Sequence, residues 1–150
     1  MNPDETRAET IRRQREEAVE RFNLGKTGAL PDSFFSAVVG VSFVSGYPDN
    51  LYELERAALI ASLGDESLTA VIVRNPANAF DENACEVHIP ALGRNAMVGH
   101  LTRPTAARLA PELDGGTQWA GSVEYVRIDP DDISNPGLSI RLTRITQKAA

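Results

Sequence analysis

The sequence contains few of the residues on which metal centres and covalent catalysis depend: one cysteine, Cys85, and two histidines, His88 and His100. A single cysteine permits no disulfide within the chain, and a zinc site needs three or four ligands at a spacing that these residues lack. The alternating pattern around Cys85 turns its side chain into the protein, which favours a packing role over nucleophilic catalysis. We therefore expect no catalytic residue, no metal and no cofactor.

Long hydrophobic runs are also missing. No apolar segment approaches the roughly 20 residues of a membrane-spanning helix. The N-terminal segment MNPDETRAETIRRQREE lacks the apolar core of a secretory signal. These absences predict a cytoplasmic protein without a membrane segment.

Positive charge is scarce as well. The chain carries 15 Lys and Arg against 21 Asp and Glu, and residues 34–145 alone hold eight of the former and fourteen of the latter. A protein that neutralises many phosphates of duplex DNA needs a basic face, so this balance argues against extended binding along a nucleic-acid backbone. It still allows a small local site.

The charged N-terminal segment is predicted to lie outside the globular domain. Residues 4–24 show helical spacing, Gly25 provides a stop, and a short linker follows at 25–31. Three interpretations remain open for this helix: a solvated helix, a helix docked on the domain or on a partner, and a disordered tail. The chain divides into a helix and linker at 1–33, a domain at 34–146 and a frayed tail at 147–150.

The domain is predicted to be rich in β-strands. Alternating and β-branched patterns indicate six strands, at residues 34–44, 68–74, 85–89, 96–101, 117–128 and 138–145. Short strands that contain glycines such as Gly40 and Gly121, interpreted as bends or bulges, are typical of a small closed or partly closed barrel.

Helices and a loop connect these strands. Helical spacing predicts one helix at 51–63, capped by Asp49 or Asn50, and a second at 104–114. Residues 129–137 have the composition of a polar loop.

The segment 71–103 concentrates polar and aromatic side chains. Pro76 ends its first strand, and the loop at 78–83 is rich in Asn and Asp, whose side chains hydrogen-bond neighbouring backbone groups. Phe80 is unusual in such a loop. This segment is therefore where we expect a functional site.

Four segments resemble the HIRAN domain family: VVGVSFVSG at 38–46, RNPANAFDENA at 74–84, VGHLTR at 98–103 and the alanine-rich helix that follows. They occur in the family's order, and the similarity covers roughly residues 37–145. HIRAN domains occur fused to helicases and nucleases and as stand-alone bacterial proteins. The resemblance implies a mainly β fold with added helices (α+β): a small six-stranded OB-like β-barrel with one or two inserted helices and a charged N-terminal helix.

The resemblance also implies binding rather than catalysis. HIRAN domains of the fork-remodelling helicase type grip the 3′ end of single-stranded DNA with aromatic rings on the terminal bases and a carboxylate on the terminal hydroxyl. In this chain the resemblance implies that Asp81 accepts the terminal hydroxyl, with Asn78 beside it, and that Phe43 and Phe80 stack on the bases. It also implies that His100 and Arg103 contact phosphate or sugar and that Tyr125 flanks the site. The implied role is delivery of a partner helicase or nuclease in DNA repair or replication-fork processing.

Three positions depart from a helicase member of the family. The positions matching Ser42 and Phe43 carry arginine and tyrosine there, and the position matching Phe80 carries tyrosine. This chain keeps the rings but loses one guanidinium, and losing a phosphate contact lowers both affinity and its salt dependence.

These residues also have structural interpretations. Asn78 and Asp81 can stabilise the loop by hydrogen bonds, and Phe43 and Phe80 can fill the core. His100 can be a half-buried residue with its own hydrogen bonds, and Arg103 can cap the preceding strand or pair with an acidic residue.

Two other functions stay open. One is an adaptor that binds a protein partner through its N-terminal helix and acidic barrel, with a degenerate DNA pocket. The other is a metal-dependent phosphodiesterase that uses the carboxylates Asp81, Glu82 and Glu86.

Overall fold

The computed structural model of the protein describes residues 6–24, 30–44 and 46–145. Its helices are α1 (Arg7–Leu24), α2 (Asp49–Leu63) and α3 (Arg103–Asp114), with short 3₁₀ helices at Val41–Phe43 and Pro90–Asn95. Its strands are β1 (Ser33–Val39), β2 (Thr69–Arg74), β3 (Cys85–His88), β4 (Met97–Leu101), β5 (Trp119–Asp129) and β6 (Asp132–Arg144).

The six strands form a closed barrel in the order β1-β4-β3-β2-β5-β6. All neighbouring strands are antiparallel. Alternate residues point inward, as predicted for Cys85, Val87 and Ile89, which are fully buried. Each such apolar side chain contributes roughly 1.5–3 kcal/mol by leaving water. The predicted six-stranded barrel of mainly β structure with added helices is confirmed.

The first strand is shorter than predicted. The prediction of one strand over residues 34–44 is wrong, because β1 ends at Val39 and Gly40 adopts a left-handed conformation with φ 73°. Residues with a side chain rarely adopt this conformation, whereas glycine adopts it readily. The chain then turns into the 3₁₀ helix at Val41–Phe43. Phe43 is consequently presented from a turn beyond the strand end, not from the strand.

The two inserted helices lie where the sequence placed them. α2 connects β1 to β2 and buries Leu51 and Leu54, and α3 connects β4 to β5. The predicted cap of α2 is wrong: Asp49 and Asn50 belong to the helix itself, Pro48 precedes it, and no side chain caps its first turn.

The segment 129–137 is not a loop, contrary to the prediction. β5 and β6 form one long hairpin in which Asp129 pairs with Asp132, so that only Pro130 and Asp131 make the turn. The side chain of Asp129 accepts a hydrogen bond from the Asp131 amide at 2.9 Å. The continuous ladder of backbone hydrogen bonds outweighs the weak strand propensity of these polar residues.

The predicted bulge at Gly121 is also absent. The β5–β6 register shifts between Val123 and Tyr125 and again between Arg127 and Asp129. Gly121 instead lies where β5 approaches β2, and a Cβ at this position would lie 2.5 Å from the carbonyl oxygen of Ala70. The glycine is therefore required for close approach of two strands.

Helix α1 is docked on the domain. The Arg12 guanidinium donates a 2.6 Å hydrogen bond to the Pro136 carbonyl of β6, and Glu9 is buried. Of the three interpretations of this segment, the structure matches docking. The predicted helix residues 4 and 5, Gly25 with most of the linker, and the tail at 147–150 lie outside the described residues.

None of the helices in the described parts of the chain is long and apolar enough to span a membrane.

Candidate functional site

An open cleft of about 280 Å³ lies where β1, β4, α1, the first turn of α3 and the loop between β2 and β3 meet. Six of the seven residues implied by the resemblance line it: Phe43, Asn78, Phe80, Asp81, His100 and Arg103. Arg13, Val39, Gly40, Ala84 and Leu101 complete the lining. These residues come from four separate parts of the sequence, and the fold brings them to one place.

Asn78 and Asp81 hold the loop that forms one wall. The Asn78 side-chain oxygen accepts hydrogen bonds from the amides of Phe80 at 2.9 Å and Asp81 at 3.1 Å. One Asp81 oxygen, Oδ1, accepts the Asn83 amide at 2.9 Å. Asn78 and Asp81 therefore do stabilise the loop, as the structural interpretation of these residues predicted. The second Asp81 oxygen, Oδ2, accepts no hydrogen bond from any described residue and is available for a ligand.

Arg74 anchors the same loop to α3. Its guanidinium pairs with both oxygens of Asp114, at 3.0 and 3.2 Å, and also donates to the carbonyls of Glu82 and Ala84. The hydrogen bond from Arg74 lowers the pKa of Asp114 below its usual value. A loop tied at several points is preorganised, so less conformational freedom is lost when a ligand binds.

The two phenyl rings are exposed rather than part of the core. Phe80 is 64% exposed and Phe43 is 40% exposed, and both border the cleft. The core-filling interpretation of these residues is therefore wrong. An exposed aromatic ring in the wall of a cleft offers a flat apolar face to a flat ligand.

His100 lies on the outer face of β4, opposite Val39 of β1 and Glu86 of β3. Burial lowers its pKa from the usual value, although Glu86 and Asp81 oppose this effect. The lowered pKa favours the neutral form of the imidazole. Its Nε2 atom is buried without a hydrogen-bond partner among the described residues. An unpaired buried polar atom is costly to the folded state.

Two arginines reach the cleft. Arg103 is the first residue of α3, where the helix dipole also favours an anion. Arg13 arrives from α1 and was missed by the sequence analysis. No local pattern could have identified it, because its position depends on how α1 docks on the barrel. With Asp81 as the opposing carboxylate, the lining is locally more positive than the chain as a whole.

Tyr125 does not belong to the described lining of the cleft. It lies on β5 opposite Ser139 of β6, with half of its surface exposed. Its implied contact stays a prediction.

The single cysteine and three carboxylates near the cleft are the groups that the sequence analysis considered for other chemistry. Cys85 is fully buried, and desolvation raises its pKa to about 11, so that it is a thiol at neutral pH. Asp81, Glu82 and Glu86 do not form a metal-binding group in the described part of the chain. Glu86 instead contacts the His88 ring at 2.9 Å and accepts a hydrogen bond from the side-chain Nδ2 of Asn75 at 3.0 Å.

Comparison with solved structures identifies the fold. The HIRAN domain of human HLTF superposes with a TM-score of 0.51 over 75% of this chain and 74% of that chain, at 22% sequence identity. A structural-genomics protein from Lactobacillus plantarum matches with a TM-score of 0.46 over 79% of this chain and 99% of that chain, also at 22% identity. No protein-family model and no curated protein matches the sequence. The chain has a HIRAN-like fold.

Proposed function

We propose that this protein is a non-enzymatic nucleic-acid-binding module that recognises the 3′-hydroxyl end of single-stranded DNA in the cleft. The observation that carries the proposal is the convergence of six implied contact residues on one open cleft, with both phenyl rings exposed. A partner helicase or nuclease would use this recognition in DNA repair or at replication forks.

The chemistry of the cleft suits a strand terminus better than a duplex. Phe43 and Phe80 can stack on bases, which is tolerant of sequence and contributes roughly 1–3 kcal/mol per base. The available Oδ2 of Asp81 can accept a hydrogen bond from the terminal hydroxyl, and His100 lies beside it in the lining of the cleft. Recognition of this kind needs only a few cations, which is compatible with the net charge of −6.

Changing the chemical group at the 3′ end of the strand tests this proposal. Fluorescence anisotropy should show that a short oligothymidylate with a 3′-hydroxyl binds about 5- to 1,000-fold more tightly than the same strand with a 3′-phosphate. The reason is that a phosphate placed about 4 Å from the Asp81 carboxylate is repelled by about 1–4 kcal/mol, depending on solvent exposure. Equal affinity for the two strands, or no binding of either, would contradict the proposal.

Two Asp81 variants separate ligand recognition from loop structure. Asp81→Asn keeps an oxygen that accepts the Asn83 amide but removes the charge, so the preference for the hydroxyl end should disappear while the melting temperature stays unchanged. Asp81→Ala removes both the charge and the oxygen that accepts the hydrogen bond from the Asn83 amide. If Asp81→Asn still prefers the 3′-hydroxyl strand over the 3′-phosphate strand to the full extent, the Asp81 carboxylate does not recognise the 3′ end.

Arg13 is predicted to contact the phosphate backbone. Replacing it with alanine should weaken binding and reduce the slope of log affinity against log salt by about 0.7, the value expected for one single-strand phosphate contact. Arg15→Ala is the matched control, because Arg15 is exposed on the same helix and does not line the cleft. If the slope of log affinity against log salt is unchanged in Arg13→Ala, Arg13 does not contact the phosphate backbone and α1 is not part of the binding site.

A further inference from the structure

The barrel has an exposed face of aromatic rings and arginines on the side of β1, β6 and β5. Alternate residues of these strands point into the core, such as Leu138, Ile140 and Leu142 of β6, and the residues between them point outward. The outward side chains include Phe35, which is 53% exposed, and Tyr125, which is 50% exposed. The aromatic-arginine face consists of four side chains: Phe35, Tyr125, Arg127 and Arg141.

The strand register places these four side chains next to one another. Phe35 pairs with Arg141, and the guanidinium carbon of Arg141 lies 5.0 Å from the centre of the Phe35 ring. Arg127 pairs with Gly137, and Tyr125 pairs with the neighbouring outward residue of β6. A Cβ at Gly137 would lie 3.3 Å from the Tyr125 ring and 3.5 Å from the Nε of Arg127, so both side chains cover this glycine. Each ring of the face therefore has a guanidinium beside it.

The two rings of the face do not pack on each other. Phe35 and Tyr125 lie two strands apart across the sheet and two residues apart along it, which separates their Cα atoms by roughly 12 Å. The outward positions around and between them carry small residues: Ala37, Ser122, Gly137 and Ser139. The face thus offers two separate flat surfaces on a shallow floor. It is not the contiguous apolar area that forms the core of a protein interface.

The charge of this face differs from the net charge of −6 of the whole chain. Glu124 lies in the bulge of β5, and Asp129 lies at the hairpin turn. The rows of paired outward residues between them contain two arginines and no carboxylate: Phe35, Arg141 and Ser122; Ala37, Ser139 and Tyr125; Gly137 and Arg127. Within the described part of the chain, neither of these two arginines forms an ion pair. Both guanidinium groups are therefore available to an anion.

We propose that the aromatic-arginine face is a stacking platform for single-stranded nucleic acid, separate from the cleft. Phe35 and Tyr125 stack on bases, and Arg127 and Arg141 contact phosphates. Aromatic residues on the surface of other sheets bind single strands in this way and stack two or three bases. A nucleic-acid strand supplies both flat bases and negative charge, whereas an acidic peptide supplies only the charge.

The platform extends the proposed function to the part of the strand that lies outside the cleft. Phe35, Ala37 and Val39 are successive outward residues of β1, and Val39 lines the cleft. Phe35 is about 13 Å from Val39 along the strand. About three stacked nucleotides cover roughly 10 Å, so a strand whose 3′ end occupies the cleft reaches the platform only if it is longer. The proposal rests on the proposed binding of single strands, but it does not require recognition of the 3′ end.

Strand length tests the platform. Fluorescence anisotropy compares 3′-hydroxyl oligothymidylates of about 3 and about 12 nucleotides, the longer one being within the range bound by an OB fold. With the longer strand, Tyr125→Ala and Phe35→Ala should each weaken binding by about 5- to 150-fold, because each removes stacking on one base. Neither change should affect binding of the shorter strand. Tyr52→Ala is the matched control, because Tyr52 is exposed on α2 and belongs neither to the face nor to the cleft lining.

The two arginines provide an independent measurement. With the longer strand, Arg127→Ala and Arg141→Ala should each reduce the slope of log affinity against log salt by about 0.7, the value for one single-strand phosphate contact. Arg56→Ala is the matched control, since Arg56 is exposed on α2. If the slope is unchanged in both variants of the face, these arginines do not contact phosphates and the proposal is overturned.

Failure of the platform and failure of end recognition give different results. If the protein does not prefer a 3′-hydroxyl over a 3′-phosphate but Tyr125→Ala still weakens binding of the longer strand, end recognition fails and the platform stands. If Tyr125→Ala and Phe35→Ala bind the longer strand as tightly as the unmodified protein, the platform is overturned and end recognition is unaffected. No binding of any strand overturns both.

Two further results would overturn the platform. One is an equal loss of affinity in Tyr52→Ala, because the effect would then not belong to this face. The other is displacement of the longer strand by an oligoglutamate of the same length at equal concentration, because the face would then bind negative charge without stacking on bases. Circular dichroism and thermal melting show whether each variant is folded, and unchanged melting temperatures are expected for these exposed positions.

Discussion

Replacing Phe80 with alanine should weaken binding of a short 3′-hydroxyl oligothymidylate by about 5- to 150-fold, the equivalent of roughly 1–3 kcal/mol of lost base stacking. The fold should be unaffected, because Phe80 is 64% exposed and its backbone, not its ring, is tied by the Asn78 side chain. Fluorescence anisotropy gives the affinity, and circular dichroism with thermal melting shows whether the variant is folded.

A second ring and a matched control sharpen this experiment. Phe43→Ala should lower affinity within the same range, since Phe43 borders the same cleft from the 3₁₀ helix. Phe35→Ala removes an exposed phenyl ring from β1 that lies against Arg141 and outside the cleft, so it should leave affinity unchanged. If all three variants bind equally well, or if Phe35→Ala has the largest effect, the ligand does not stack in the cleft.

The largest expected effect on stability comes from Leu54→Ala. Leu54 is fully buried on the inner side of α2, and removing a buried leucine side chain typically costs about 2–5 kcal/mol of unfolding free energy. For a chain of this length the melting temperature should fall by roughly 5–20 °C. Urea unfolding measures the change directly, provided that the dependence of the free energy on urea stays the same.

The same helix supplies the control for that experiment. Leu63→Ala makes the identical chemical change at a position that is 81% exposed, and should change the unfolding free energy by less than about 0.5 kcal/mol at a concentration where the protein is monomeric. Similar losses for the two variants would mean that the outer face of α2 is covered by part of the chain.

Periodicity was sufficient to predict the barrel but not its boundaries. The alternation around Cys85, Val87 and Ile89 identifies which side of β3 is buried, because one face of the strand meets the core and the other does not. The end of β1 was missed because Gly40 is compatible with a bend inside a strand as well as with a left-handed turn after it. The β5–β6 hairpin was missed because its polar residues are held by pairing across the sheet, which local composition does not reveal.

The candidate site was predictable where its residues lie close together in the sequence. Asn78 and Asp81 belong to a loop whose side-chain hydrogen bonds are local, and such bonds follow from residue type. Arg13 was not predictable, since its place in the cleft follows from the docking of α1 through Arg12 on Pro136, 124 residues away. The lowered pKa of His100 likewise follows from burial, which requires the folded chain.

Closure of the barrel determines how other molecules can approach this domain. Every strand is hydrogen-bonded to a neighbour on both sides, but β5 pairs with β2 only at Gly121 and Ser122, and β6 pairs with β1 only from Ser139 to Thr143. In the far half of the β5–β6 hairpin, the register pairs the two strands only with each other. Closure shortens the free strand edges, and short edges lower the risk of the edge-to-edge aggregation to which open sheets are prone. An extended peptide that adds a strand to this domain would therefore meet it at the far half of the β5–β6 hairpin.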